Sequence, residues 1–317
     1  MKRALLIGID QYDNFNNLAG CVNDADALEP LISRNEDDSL NFECQKRTSA
    51  TGGVTRDALL GDLEALFGGG ADIAVLYFAG HGDGVPNDVV LMTVDGTNNT
   101  PGIPFSEVMT KVVNSQVGEV IVLLDCCFSG AAGGIPQLGT AASALRPGVS
   151  ILMASRGDQT AAETGEGRGL FSTYLSGALE GGAADVRGKV TLAGLYSYLD
   201  ESFGAWDQRP VFKTNVDRLH EIRGCIPTLP PSELRQINAL FPAVDHVFSL
   251  DPSYEDTVED HDPEHAKVFK VLQRYRYSKL VDPIDEEYMY YAAVNSTACQ
   301  LTPLGRHYWH MASEGRL

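Results

Sequence analysis

Apolar residues in this chain come in short dense runs, and between them lie stretches whose apolar positions recur at helical spacing. The runs "ALLIGI" (4–9), "NFECQKR" (41–47), "IAVLYFAG" (73–80), "EVIVLLDCC" (119–127), "VSILMAS" (149–155) and "RPVFKTN" (209–215) read as strands. Three of them are almost unbroken, as expected of parallel strands covered on both faces. Between them, "VTRDALLGDLEALF" (54–67) carries a helical apolar stripe and stops at Gly68-Gly69-Gly70. "LFSTYLSGALEG" (170–181) and "TLAGLYSYLDESF" (191–203) also read as helices. The alternation predicts an α/β fold, an open and mostly parallel sheet with helices on both faces. Ligands of such sheets bind beyond the carboxyl ends of the strands.

Past residue 215 the pattern changes. Residues 216–230, with "CIPTLPP", read as a proline-rich linker, and 231–317 as a small, mainly helical second domain. "DPSYEDTVEDHDPEH" (251–265) is acidic and reads as a solvated loop entering a helix capped by Asp262, with Pro263 at its first position. Val268, Val271, Leu272 and Tyr275 then share one face. Thr302 and Pro303 repeat the device, with Leu304, Tyr308 and Met311 on one side. The closing "LTPLGRHYW" is similar to the last helix of winged-helix folds.

Composition narrows the partners. A hydrophobic content of 44% over 317 residues suits a soluble protein with a sizeable core, in one large or two moderate domains. The 43 acids outnumber the 24 bases, giving a formal charge of −19. That field disfavours nucleic acid and anionic membranes as partners and favours basic protein segments. No apolar stretch approaches the ~20 residues of a membrane span, and 4–9 is too short for a signal peptide. Six cysteines without paired CxxC spacing point to a reducing cytoplasm.

Two strand ends carry chemistry. "YFAGHGDG" (77–84) delivers His81 between glycines, and "LLDCCFSG" (123–130) delivers Cys126, Cys127 and Ser129. If these strands are neighbours, imidazole and thiol meet at one sheet edge, where a nearby imidazole converts a thiol into a usable thiolate. The glycines leave room for a bound peptide and free N–H groups for a developing oxyanion. Rival chemistries fail on the letters. A phosphatase loop needs arginine where this chain has Ala132 or Gly133, and no G-x-S-x-G surrounds Ser129. "LIGIDQYDNF" lacks the later glycines of a dinucleotide fingerprint, and no His or Cys pair has zinc-ligand spacing.

The motifs "YFAGHGDG" and "LLDCCFSG", with "GCVNDADAL" upstream and "SRGDQTAAET" downstream, resemble the caspase-like cysteine peptidases, most closely their metacaspase and prokaryotic branch. The resemblance covers 1–215. It implies Cys127 as nucleophile, His81 as its general base and acid, and the amides of Gly82 and Cys127 as the oxyanion hole. Cys126 is then a bystander turned to the other face. The resemblance also implies a primary substrate pocket holding Asp24 and Asp125, hence cleavage of protein substrates after Arg, or Lys, with Ser155 offering backbone to the substrate. Read locally instead, Asp24 is the N-cap of "NDADALEPLI" and Asp125 a turn former. The family's histidine after the nucleophile is replaced here by Phe128. Gln159 and Glu163 fit a loop-supporting pattern.

Family members are often activated by cleavage after the nucleophile. Here that loop offers only Arg146, followed by Pro147, so Arg168 in the glycine-rich "GEGRGL" is the expected activation site, ahead of Arg156 and Lys46-Arg47. An upstream protease or a regulatory protein is the expected activator. No cofactor is expected; Asp10 and Asp13 read as turn residues, with calcium regulation as the second reading on so acidic a chain. The leading reading is a regulated prokaryotic effector protease of defence or cell death, and the alternative is a catalytically silent adaptor acting through protein binding. A winged-helix DNA regulator is the weakest reading, since the tail also has more acids than bases.

Overall fold

The computed structural model describes residues 1–85, 88–126, 128–129 (backbone only), 145–154, 167–204, 210–216 and 220–317. Six strands form the main sheet: β1 (Lys2–Gly8), β2 (Glu43–Thr48), β3 (Ile73–Ala79), β7 (Glu119–Asp125), β9 (Val149–Met153) and β11 (Val211–Asn215). Their order is β11-β9-β7-β3-β1-β2, parallel throughout except for the edge strand β11. This is the open α/β sheet that the unbroken apolar runs predict.

Strand alternation divides the core into two layers. Ile73, Val75, Tyr77 and Ala79 of β3 face one side with Leu6, Ile121, Leu123 and Leu152. That side is covered by α1 (Cys21–Ser33), α4 (Leu170–Gly177) and α5 (Leu192–Ser202), through Leu28, Ile32, Leu175, Leu195 and Leu199. Leu76, Phe78, Val122 and Leu124 face the other side. There they meet Leu59 and Leu63 of α2 (Arg56–Phe67) and Phe105, Val108 and Val112 of α3 (Phe105–Asn114).

Helix starts follow side-chain chemistry. Thr55 caps α2 by accepting from the Ala58 amide, and Thr191 caps α5 by accepting from Gly194. The α1 start differs from the expected Asp24 cap. Gly20 is the capping residue, and the Asp10 carboxylate takes the amides of Cys21 (2.8 Å) and Val22 (3.3 Å). Asp24 therefore stands inside the helix's first turn.

A second, smaller sheet was not foreseen from the pattern. Strands β4 (Gly82–Val85), β5 (Asp88–Thr97), β6 (Thr100–Pro104) and β8 (Phe128–Ser129) pair in the order β6-β5-β4-β8. The expected linker at 216–230 also needs correction. Within it, β12 (Glu221–Gly224) pairs antiparallel with β10 (Lys189–Thr191), so the first compact unit is Met1–Asp185 with Lys189–Cys225. The second unit is Val186–Gly188 with Ile226–Leu317.

The second unit holds α6 (Pro231–Leu234), α7 (Ile237–Leu240), α8 (Pro263–Tyr277), α9 (Met289–Val294) and α10 (Pro303–Ser313) around its own core. It also contains a three-stranded antiparallel sheet in the order β13 (Val247–Ser249), β15 (Ala298–Leu301), β14 (Val281–Ile284). Asp262 caps α8 through the amides of Glu264 and His265, and Thr302 caps α10 through Gly305. Val271, Leu272 and Tyr275 are buried and Val268 packs beside them. Tyr308 is buried too, but Leu304, on the same face one turn nearer the start of α10, is 40% exposed. Among the described residues, no helix is long and apolar enough to cross a membrane.

Candidate active site

The two suspect segments leave the sheet side by side. Strands β3 and β7 pair in parallel with Ala79 opposite Asp125. Beyond the sheet edge, β4 and β8 pair in parallel with Gly82 opposite Phe128. The described backbone on either side of position 127 is thus aligned with that on either side of His81. Cys127 and Ser155 lie outside the described residues, as do Arg156, Gln159, Glu163 and the side chains of Phe128 and Ser129. Gly82 is buried at the start of β4.

His81 is held from three directions. Its backbone N–H donates to the Tyr12 hydroxyl at 2.7 Å, and its carbonyl accepts from the Met92 amide at 3.0 Å. Its ring packs on the Tyr12 ring, with centroids 4.9 Å apart. Nε2 lies 2.8 Å from the Asn16 carbonyl oxygen. A carbonyl can only accept, so Nε2 carries a hydrogen, and in the neutral ring the lone pair is on Nδ1. Burial holds the Tyr12 hydroxyl far above its ordinary pKa, so it stays protonated. A Cβ on Gly80 would lie 2.7 Å from the Tyr12 oxygen and 3.1 Å from the Phe78 ring. That glycine thus makes room for the tyrosine that carries His81.

Two carboxylates converge beside this edge. Asp24, on α1, is 2% exposed, and Asp125, the last residue of β7, is 8% exposed. A Cβ on Gly169 would lie 3.1 Å from Asp24 Oδ2 and 2.8 Å from Asp125 Oδ2, so both acids close on one point. Ser172 on α4 donates a short hydrogen bond to Asp125 Oδ2. Tyr77, whose hydroxyl is 2.5 Å from Ser172 Oγ, supplies the proton on the other side of that oxygen. The Gly169 amide donates to Asp24 Oδ2 at 3.0 Å, and Arg168 Nε donates to Asp24 Oδ1 at 3.1 Å.

Burial sets the electrostatics. Desolvation pushes Asp125 up to about 7, with the charge of Asp24 adding to the shift and the Ser172 hydrogen bond opposing it. Desolvation pushes Asp24 up to about 6, opposed by Gly169 and Arg168. The pair is therefore partly protonated near neutral pH and behaves as one coupled unit. Cys21, in the same neighbourhood, has its thiol pushed well above the ordinary range by burial and by Asp10, and it is no nucleophile.

The other sulfur of the doublet packs. Cys126 is 2% exposed and belongs to the apolar layer with Val122 and Leu124, the opposite face from Asp125, as strand alternation requires. Asp10 is a helix cap, and among the described residues no group of three His, Cys, Asp or Glu side chains is placed to hold a metal. Arg168 does not sit in a free loop. Its guanidinium also donates to the Ser172 carbonyl (3.2 Å) and the Ser176 hydroxyl (2.8 Å), which anchors the described end of "GEGRGL".

Sequence reading alone missed Tyr12, Asn16 and Ser172. A polar Ser172/Ser176 pair one turn apart on an otherwise apolar helix was a usable signal; the role of the Asn16 carbonyl had none.

Residues 1–216 match the caspase domain, a peptidase family, and the chain belongs to it. It is 28% identical over 216 residues to metacaspase-3 of Trypanosoma cruzi (strain CL Brener), covering 57% of this chain. The chain spans 59% of that relative's length. Its fold is similar to the crystal structure of protein GSU0716 from Geobacter sulfurreducens, with a TM-score of 0.54 and 17% identity. That match covers 68% of this chain and 94% of the other.

Proposed function

We propose that this protein is a cysteine endopeptidase that cleaves proteins after Arg, or Lys, with Cys127 as nucleophile and His81 as general base. The observation that carries the reading is the convergence of Asp24 and Asp125, two buried carboxylates, beside the sheet edge from which His81 projects. Aliphatic or acidic side chains have no reason to enter a site with two acids. A guanidinium does, and its planar fork suits carboxylates better than an ammonium.

The chemistry follows from the tautomer. With Nε2–H committed to the Asn16 carbonyl, Nδ1 takes the Cys127 proton. The thiolate attacks the carbonyl carbon after the basic residue, and the amides of Gly82 and Cys127 receive the charge on oxygen. The imidazolium returns its proton to the leaving amine. Water, deprotonated by the same Nδ1, then releases the acyl group and regenerates the thiol.

The second unit is a regulatory or protein-docking module in this reading. Tyr277, Tyr288, Tyr290 and Tyr291 are all exposed on it, and tyrosine is enriched where proteins meet. The role of a prokaryotic effector in defence or cell death is supported by likeness to the family branch.

A fluorogenic peptide panel with Arg, Lys or Asp before the scissile bond tests the activity, run with and without calcium. Cleavage is expected to rank Arg, then Lys, then Asp, to vanish in Cys127→Ala and His81→Ala, and to persist in Cys126→Ala. Preference for Asp, or activity that survives Cys127→Ala and is lost in Cys126→Ala, overturns the assignment.

A further inference from the structure

Asp24 and Asp125 converge, but neither is open. The chain's own Arg168 places Nε on Asp24, and the backbone of Gly169 lies between the two carboxylates. Arg168 Nη2 reaches the Ser172 carbonyl and the Ser176 hydroxyl on α4, so the guanidinium is held by the helix on one side and the acid on the other. Its side chain is 22% exposed and that of Asp24 only 3%. This is the environment a substrate arginine would need: a buried carboxylate, a carbonyl and a hydroxyl, all acceptors for a guanidinium.

We infer that Arg168 is a built-in competitor: it satisfies Asp24 in place of a substrate's arginine, and the site accepts substrate only when the 167–169 strap lifts away. The inference rests on the reading of Asp24 and Asp125 as the basic-residue pocket. The strap has the backbone for such a movement. Gly167 has a φ of +71° and Gly169 caps α4, so glycines flank Arg168 on both sides. Gly20, with a φ of +125°, lets the strap lie close, since a Cβ there would meet the Gly167 carbonyl at 2.9 Å. The Asn23 side-chain amide adds a hydrogen bond to that carbonyl at 3.2 Å. Five hydrogen bonds to α1 and α4 therefore hold the strap down, three of them made by the Arg168 guanidinium. Removing the arginine abolishes the competition without touching Cys127 or His81.

The test uses the full chain with Arg168→Ala, Arg168→Gln and Arg168→Ala/Asp24→Asn, and agmatine as the guanidinium probe. Agmatine is expected to raise the melting temperature of Arg168→Ala by several degrees, to leave the wild type unmoved, and to have no effect on the double variant. With an Arg peptide as substrate, the KM of Arg168→Ala should fall about tenfold, the factor by which a resident occupant seated nine-tenths of the time weakens apparent binding. Should Arg168→Ala not fold, Arg168→Gln takes its place, since its neutral amide cannot ion-pair with Asp24 and agmatine should still displace it. A folded Arg168 variant that ignores agmatine overturns the inference, and so does an active one whose KM is unchanged. If no variant cleaves any peptide, the peptidase reading fails, and the agmatine response alone decides whether Arg168 fills a guanidinium site.

Discussion

The Tyr12 hydroxyl sits 2.7 Å from the His81 backbone nitrogen, and the same ring lies against the imidazole. One buried side chain thus fixes both the main chain and the ring of the histidine, and Asn16, four residues further along the same loop, fixes its tautomer. The loop after β1 is therefore part of the site although none of its side chains need touch a substrate.

Tyr12→Phe keeps the ring and removes the acceptor. The His81 amide loses its partner in a half-buried setting, which costs about 1–3 kcal/mol. With His81 as the proposed base, a small misplacement reduces turnover strongly, so kcat for an Arg peptide is expected to fall about tenfold or more with KM little changed. Denaturant unfolding and steady-state kinetics on the same preparation check both numbers.

Gly80→Ala puts a methyl 2.7 Å from the Tyr12 oxygen and 3.1 Å from the Phe78 ring. Overpacking of this kind costs about 1–3 kcal/mol. Because part of the clash is with the hydroxyl, Gly80→Ala should cost less in a Tyr12→Phe background. A double-mutant cycle should return a coupling of about 0.5 kcal/mol or more.

The acid pair makes stability depend on pH in a stated direction. Unfolded, both carboxyls titrate near 4; folded, burial raises Asp24 to about 6 and Asp125 to about 7. Between about 4 and 7 the folded chain binds more protons than the unfolded one, so these groups make stability fall as pH rises through that window. Asp125→Asn removes its share and should stabilise the protein at neutral pH by on the order of 2–4 kcal/mol. The difference in melting temperature between wild type and variant should shrink toward pH 4. Activity runs the other way where no resident guanidinium competes: for Arg168→Ala, KM for an Arg peptide should improve as pH rises from about 6 to 8 and the pair ionises.

Asp10 is expected to act on the helix. Its carboxylate takes the Cys21 and Val22 amides, so Asp10→Ala should cost about 1 kcal/mol through the unsatisfied start of α1. Asp10→Asn should recover part of that loss. Chemical denaturation at fixed pH distinguishes the two.

The main sheet was legible because its strands are buried on both faces, which forces unbroken apolar runs such as "IAVLYFAG" and "EVIVLLDCC". The small sheet of β4–β6 and β8 was not, because Gly82–Val85 and Thr100–Pro104 are short and broken by glycine and proline. Asp24 was legible through motif likeness but misleading as a cap, since the acid that caps α1 comes from Asp10, eleven residues upstream of Cys21. Arg168 drew notice as a basic residue among glycines. That it binds Asp24 depends on α4 folding back over α1, a contact between segments 144 residues apart that no local pattern encodes.

The most direct measurement is to treat the protein with a peptidyl-arginine chloromethyl ketone and find the alkylated atom by mass spectrometry. The account predicts a single adduct on the Cys127 sulfur, absent in His81→Ala and slowed when Asp24 is replaced by Asn. An adduct on Cys126, or faster labelling by the matching aspartyl ketone, would contradict it.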